Sequence, residues 1–361
     1  MAHLSFDGCD AVALAKEYGT PLYVVSERMI RGRLREIRDD FLGRYPNTGA
    51  LYASKALQTL DILRIVASEG VGLDVVSGGE LFAASKAGFP MDRVYFHGNS
   101  KTDAEIRMAV EYGVGRVVVD NLHELETLNR AATALGRRAK ILFRVAPGVD
   151  SHTHEYISTG RLDSKFGIPL DRRVRDAYVG AALGMEGVEL LGFHFHVGSQ
   201  LLSNESHLKA IGVVCSLMAE VKADYGFETA ELNLGGGYGV HYQGDERAKP
   251  LSYFVDPMMA ELSAACAAAN LRLPRVVIEP GRWVVGEAGI TLYTVGSKKA
   301  IPDVKTYIGV DGGLPDNPRP ALYGAVYEAS VADRHDAPRD EVVTVAGKCC
   351  ESGDILIRDV A

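Results

Sequence analysis

The sequence predicts an α/β protein: a (β/α)8 TIM-type barrel plus a mostly antiparallel β-domain formed by both chain ends. Three observations predict it. Short runs rich in Val, Ile, Leu, Phe and Tyr alternate with helical patterns. The runs lack in/out alternation, which suits parallel strands covered on both faces. Eight such units follow one another, which fits a closed barrel of about 250 residues better than an open doubly wound sheet, although periodicity alone does not prove closure.

The eight runs are Leu51–Ser54, Gly72–Val76, Val94–His97, Val117–Asp120, Ile141–Val145, Leu191–His196, Glu231–Leu234 and Val276–Glu279. Helical patterns fall between them, among them Leu57–Glu69, Gly79–Ala87, Thr102–Tyr112 and Leu122–Leu135. Two segments lie outside the count. Residues 1–28 hold a strand-like Leu22–Ser26 after the turn pair Thr20-Pro21, and this end is expected to join the β-domain. After Gly286 the texture changes to Leu292–Val295, Thr306–Val310, Val342–Val345 and Asp354–Ile357, short runs divided by Gly, Pro and Asp. The expected divisions are therefore an N-terminal strand segment at 1–28, a barrel at 29–285 and a C-terminal β-domain at 286–361.

Composition narrows the function. With 47% hydrophobic and 24% charged residues in 361, the chain can bury a sizeable core, so disorder, collagen and coiled coil are disfavoured. A net charge of −8 argues against nucleic acid as a partner. No apolar run approaches 18 residues, so no membrane partner is expected, and the first residues lack a basic start and an apolar stretch. Five cysteines, Cys9, Cys215, Cys266, Cys349 and Cys350, have no metal-ligand spacing, so no metal is expected. The expectation is a soluble cytoplasmic protein.

In a barrel of this type the active site lies at the carboxyl ends of the strands. Those ends read Lys55, Asp74, His97, Asp120, Arg144, His196, Gly235 and Glu279, seven of the eight being ionisable. Polar groups there often merely cap strands or helices, so the set carries more weight than any member. Lys55 ends the apolar run Leu51-Tyr52-Ala53-Ser54. It reads equally as a lysine snorkelling to the rim or as a Schiff-base amine with a depressed pKa. Gly235-Gly236-Gly237 follows a strand directly and would let backbone N–H groups approach a phosphate, or would simply permit a tight turn. It is neither a dinucleotide fingerprint nor a Walker loop. Glu279-Pro280-Gly281-Arg282 closes the last barrel strand with a carboxylate suited to a protonated ring nitrogen and a Gly-Arg pair suited to an anion; an ordinary salt-bridged strand terminus is the alternative. A lysine, a glycine-rich loop and a well-placed carboxylate are the parts that pyridoxal 5'-phosphate needs.

Several stretches make the chain resemble the diaminopimelate decarboxylases, within the fold-type III pyridoxal-phosphate decarboxylases that also include ornithine and arginine decarboxylases. They are Tyr52-Ala53-Ser54-Lys55-Ala56, residues 72–81, His152-Thr153-His154-Glu155-Tyr156, Asp163-Ser164-Lys165-Phe166-Gly167, His194 to Gln200 and Glu279 to Arg282. Asn317 to Tyr323 and Cys350-Glu351-Ser352-Gly353-Asp354 complete the set, in the family's order, and the resemblance runs from about residue 18 to the end.

The resemblance implies roles. Lys55 would hold the cofactor covalently, His196 would stack on its ring, and Glu279 would keep the pyridine nitrogen protonated. Ser199, Gly235, Gly236, Gly237, Gly281 and Arg282 would cradle the phosphate, with Asp74 near Lys55 and Arg144 at the ring's edge. For His97 and Asp120 strand-end capping is the expectation. The substrate implied is meso-diaminopimelate, whose distal carboxylate suits Arg282 and Arg319, with Tyr323 adding a hydrogen bond and Glu351 pairing with the distal ammonium. Without the resemblance, Arg319 and Tyr323 read as a solvated turn. Cys350, rather than its neighbour Cys349, would return a proton to the substrate carbon after carbon dioxide leaves. In relatives this loop reaches the active site of the other subunit, which implies a homodimer with shared sites. Relatives also continue beyond Asp359-Val360-Ala361, so the β-domain is expected to be incomplete here, without the tyrosine they place near the phosphate. Competing readings are a related decarboxylase of another diamino acid or carboxylated polyamine, a non-catalytic barrel that binds pyridoxal phosphate, and a barrel hydrolase or aldolase; the last would leave the glycine and Cys-Glu loops unexplained.

Overall fold

A computed structural model describes residues 2–149, 165–242 and 247–361. The chain divides into two compact units, one of Ile30–Val240 and Ala248–Gly286, the other of Met1–Met29, His241–Arg247 and Glu287–Ala361.

The first unit is a closed barrel. Its strands are Thr48–Ala53, Gly72–Val75, Val94–Phe96, Arg116–Val119, Ala139–Ala146, Val188–His194, Glu231–Asn233 and Arg275–Ile278. Each pairs in parallel with the next, and the last pairs in parallel with the first. Closure leaves no free edge. A two-residue strand, Ile168–Pro169, adds to the side of the fifth. Leu51, Tyr95, Val118, Leu142 and Val277 form one buried cluster with Leu191 packed against it. These come from six different strands, which only the interior of a ring can bring together.

Helices restart after the strands because each has its own capping residue. Ser77 accepts from the Glu80 N–H, Asn121 accepts from the Glu124 N–H, and Thr102 and Glu105 form a reciprocal capping box. Glu105 also accepts from the Gly78 N–H at 2.7 Å, tying one helix start to its neighbour. At the amino ends of the strands, Glu231 is buried and accepts from Tyr95 at 2.8 Å, Arg116 at 2.9 Å and Arg275 at 3.1 Å. That ion-pair cluster lies on the face that serves stability in such barrels.

In the second unit, Leu22–Val25 pairs antiparallel with Gly289–Leu292, so both ends of the chain do contribute strands. Four further strands, Val295–Ile301, Lys305–Val310, Val343–Ala346 and Ile355–Val360, form one sheet in that order, with only the middle pairing parallel. The single run expected at Leu292–Val295 is instead the junction of two strands. Thr294 breaks it by exchanging hydrogen bonds with Asp311, its N–H to Oδ1 at 2.8 Å and its carbonyl from the Asp311 N–H at 3.1 Å. The N-terminal segment also holds a helix, Ala11–Tyr18, where only the strand-like Leu22–Ser26 and its turn were expected; Asp10 caps it through the N–H groups of Val12 and Ala13.

Candidate active site

Lys55 sits on a short 3-10 turn, Ser54–Ala56, just past the first barrel strand, and is exposed. Two bonds fix the turn: the buried Ser54 hydroxyl donates to Asp74 O at 2.8 Å, and the Ala53 N–H donates to Pro280 O at 3.2 Å. The lysine's turn is thus tied to the second strand and to the end of the eighth. Asp74 is buried, and its Oδ1 accepts no hydrogen bond among the described residues. Burial pushes its carboxyl up to about 6, a rise that His97 opposes, Glu279 reinforces and Lys55 opposes.

Glu279 is held from the ends of three other strands. His97 Nε2 lies 2.8 Å from Oε1, His194 Nε2 bonds Oε2 at 3.2 Å, and Asn233 Nδ2 donates to Oε1 at 2.7 Å. All four residues are buried. Burial acts to raise the Glu279 carboxyl, but the two histidines and their bonds outweigh it and hold it well below the usual carboxylate range. His194 itself is pulled down to about 4, chiefly by burial, so it is a neutral ring that donates through Nε2. His97, expected only to cap its strand, meets His194 edge to face at 4.7 Å between ring centroids and contacts Glu279 instead.

The glycine loop follows the Glu231–Asn233 strand, and the Gly235 N–H donates to Asn233 Oδ1 at 2.9 Å. A Cβ on Gly236 would overlap the Glu279 carbonyl oxygen, and Gly237, at φ +98, would press one into the Gly198 carbonyl. Glycine is therefore required here by close backbone approach as well as by any ligand. The Gly236 N–H donates to His196 Nδ1 at 3.3 Å, and its carbonyl lies 2.9 Å from His207 Nε2. His196 is half-buried and held neutral by burial and by the charges of Lys55 and Arg144. Arg282 opens a single helical turn after Gly281 and donates to Ser199 Oγ at 3.2 Å. Arg144, half-buried in the fifth strand, lies over the Phe166 ring at 4.3 Å. Asp120 accepts from the Gly167 N–H at 2.8 Å, in keeping with a capping role. The stretch His152–Tyr156, and Asp163-Ser164, lie outside the described residues.

Arg319, Tyr323, Cys350 and Glu351 belong to the second unit. Arg319 heads the short helix Arg319–Tyr323, donates to the Tyr327 hydroxyl at 2.8 Å and lies 4.9 Å from the Tyr242 ring centroid. Neither tyrosine was apparent as a partner from the sequence, because neither sits in a recognisable motif. Cys349, Cys350 and Glu351 are exposed on a loop that the buried Asp354 carboxylate organises. It accepts from the Leu314 N–H at 2.6 Å and the Cys349 N–H at 2.8 Å.

His194, His97 and Glu279 also form a set that could in principle face a metal ion, their ligand atoms lying within 4.8 Å of one another. The histidine nitrogens, however, are turned to the carboxylate itself. The residues fit pyridoxal phosphate better. An ionised carboxylate buried beside an accessible lysine suits a protonated ring nitrogen and a carbonyl carbon, and the glycine loop with Ser199 and Arg282 suits a phosphate.

The chain matches the family described as pyridoxal-dependent decarboxylase, pyridoxal binding domain, over residues 28–286. It is 44% identical over 358 residues to a diaminopimelate decarboxylase of Bacillus methanolicus, covering 99% of this chain and 83% of the relative. The corresponding protein of Bacillus subtilis (strain 168) is 42% identical over 99% of this chain and 82% of its own. Among solved structures, diaminopimelate decarboxylase from M. jannaschii in complex with L-lysine superposes with a TM-score of 0.91 at 35% identity, covering 99% of this chain and 82% of that one.

Proposed function

Because the chain belongs to the diaminopimelate decarboxylases, within the pyridoxal-dependent decarboxylases, we propose that it converts meso-2,6-diaminopimelate to L-lysine and carbon dioxide, the last step of lysine biosynthesis. The observation that carries this reading is the buried Glu279 carboxylate, contacted by His97, His194 and Asn233, with Lys55 on a turn tied to the same strand end.

Pyridoxal phosphate, when bound, supplies an electron sink for the pair left behind as the substrate carboxylate departs. Lys55 would hold the cofactor through its amine, at the position the substrate amine would take over. Glu279 would keep a proton on the ring nitrogen, a role for which its own carboxyl must be ionised. Ser199, Gly235, Gly236, Gly237, Gly281 and Arg282 cradle the phosphate. His196 supplies a neutral ring face, and its Nδ1 is oriented by the glycine-loop N–H. Asp74 and Arg144 would set the charge around the cofactor. Arg282 and Arg319 receive the distal carboxylate, Tyr323 adds a hydrogen bond, and Glu351 pairs with the distal ammonium. Tyr242 and Tyr327 support this role by holding the Arg319 guanidinium in place before substrate arrives. Cys350 Sγ delivers a proton to the substrate carbon after carbon dioxide leaves.

The functional unit in this reading is a homodimer with shared sites. The exposure of Cys350 and Glu351 on their loop is in keeping with it. The five unpaired cysteines suit the cytoplasm, where thiols stay reduced. No helix of the described residues is long and apolar enough to cross a membrane.

Borohydride treatment of the protein loaded with pyridoxal phosphate is expected to fix the cofactor on the peptide containing Lys55, and carbon dioxide release is expected to be faster from meso-diaminopimelate than from lysine or ornithine. Label on another lysine would overturn the Lys55 assignment. A preference for lysine or ornithine would overturn the substrate while leaving the decarboxylase class intact. The preference has a physical basis: a substrate without the distal carboxylate leaves an arginine desolvated and unpaired, which costs several kcal/mol, on the order of a thousandfold in kcat/KM.

A further inference from the structure

The geometry assigns His97, His194 and Asn233 as positioning residues that clamp the Glu279 carboxylate and, through Asn233, couple it to the glycine loop. The assignment rests on the cofactor reading above and adds to it a role for three residues that the sequence motifs left without one.

The clamp is built from three strand ends. His97 follows the third strand, His194 ends the sixth and Asn233 ends the seventh, while Glu279 follows the eighth. Both carboxylate oxygens are engaged: Oε1 by His97 at 2.8 Å and Asn233 at 2.7 Å, Oε2 by His194 at 3.2 Å. Each clamp residue is at most 3% exposed, so water cannot substitute for a lost donor. A buried carboxylate with few donors would take up a proton and become neutral. Two hydrogen bonds, from Asn233 and His194, together with the His97 ring nitrogen against Oε1, reverse that preference, and they do so while Asp74, a second buried carboxylate, stands nearby. The remaining charged or titratable groups that influence Glu279 or respond to it are Arg144, His196 and Tyr238.

Asn233 does two things at once. Its Nδ2 donates to Glu279 while its Oδ1 accepts from the Gly235 N–H at 2.9 Å. One amide therefore sets the distance between the carboxylate that meets the ring nitrogen and the backbone that meets the phosphate. Aspartate at this position would keep the acceptor for Gly235, lose the donor to Glu279 and place two carboxylates in contact. Such a pair holds a shared proton at low pH and repels once that proton leaves.

The test is titration of the full-length protein with pyridoxal phosphate, followed by absorbance across pH 6 to 9. His194→Leu is expected to weaken cofactor affinity by about ten- to a hundredfold, the usual effect of removing one hydrogen bond to a charged group. His194→Gln, whose Nε2 can donate from nearly the same place, is expected to restore affinity to near wild type. Asn233→Asp is expected to bind near pH 6 and to lose affinity toward pH 9 by tenfold or more relative to wild type. Equal weakening by His194→Leu and His194→Gln would overturn the clamp, because packing alone would then explain both. A pH-independent Asn233→Asp would overturn it too, and that variant decides the matter if His194→Leu does not fold. Failure of the wild type to bind pyridoxal phosphate would instead overturn the cofactor reading on which the clamp rests.

Discussion

Histidine 207 shows how a single buried residue can serve the site from behind. It is fully buried on the helix Glu205–Tyr225, and its Nε2 meets the Gly236 carbonyl at 2.9 Å. Burial pulls its pKa down to about 4, against an ordinary 6.5. The folded pKa is depressed, so the unfolded chain binds a proton that the folded chain refuses between those values. The stability it contributes is complete above about pH 6.5 and is lost as the pH falls toward 4. His194 behaves in the same sense over the same window, whereas Asp74, raised to about 6, loses stability as the pH rises from about 4 to 6 and so opposes them. The full shift of His207 corresponds to about 3 kcal/mol. His207→Gln can keep the bond to Gly236 but cannot take up a proton, so urea midpoints measured from pH 7 to 4.5 are expected to fall less steeply than in wild type. Parallel curves would exclude His207 as a source of acid sensitivity. At this scale the strand-end residues Lys55, Asp74, Arg144, His196 and Glu279 were legible because an ionisable residue at the end of an apolar run is conspicuous. His97 stood out for the same reason, but the clamp role of His97, His194 and Asn233 did not, because it is defined by contact with Glu279, 46 residues from Asn233 and 85 from His194. One signal did exist: Asn233 stands two residues before the first glycine of the loop.

At the scale of elements, the loop carrying Cys349, Cys350 and Glu351 depends on one carboxylate. Asp354 is 2% exposed and accepts backbone N–H groups from two separate segments, at Leu314 and Cys349. The Cys349 thiol is raised by partial desolvation and by its hydrogen bond to Asp354, which keeps it protonated and directed to the loop's own support. Cys350 is thereby left as the thiol available to substrate in the proposed mechanism. Cys350→Ala is expected to slow turnover by about 10²–10⁴-fold, the range for loss of a general acid, with unchanged Tm and cofactor affinity. Cys349→Ala is expected to lose far less, and Asp354→Ala to lower turnover and Tm together. Equal losses from both cysteine variants would assign the loop a structural role only. Elsewhere an element escaped the sequence for a clear reason. The helix Leu251–Ala268 runs through Pro257, which ordinarily ends a helix because it removes a hydrogen bond to the residue four before it. Here that residue is Tyr253, and Asn204 Nδ2 donates to its carbonyl at 2.6 Å from another part of the barrel. A tertiary contact repairs the local defect, and no local pattern announces it.

For the whole molecule, the barrel was legible because eight apolar runs in series have few ways to close, while the strand order of the second unit was not, because short antiparallel runs pair in many ways. The proposed function adds a demand that a single chain cannot meet: Lys55 from one subunit and Cys350 from its partner serve the same site. That arrangement makes a sharp prediction from symmetry. Lys55→Ala and Cys350→Ala are each expected to be nearly inactive as homodimers, since both copies of the site lack one essential group. In a mixed dimer the two lesions fall in one site, and the other site receives an intact lysine and an intact cysteine. Random reassociation of equal amounts makes half the dimers mixed, each with one working site, so activity is expected to return to about a quarter of the wild-type value. The experiment mixes the two purified variants under mild dissociating conditions, restores the buffer with pyridoxal phosphate, and measures carbon dioxide released from meso-diaminopimelate. If Lys55 and Cys350 of one chain served the same site, each mixed dimer would carry one lesion in each of its two sites. Activity would then stay at the level of the inactive parents however long the subunits exchanged.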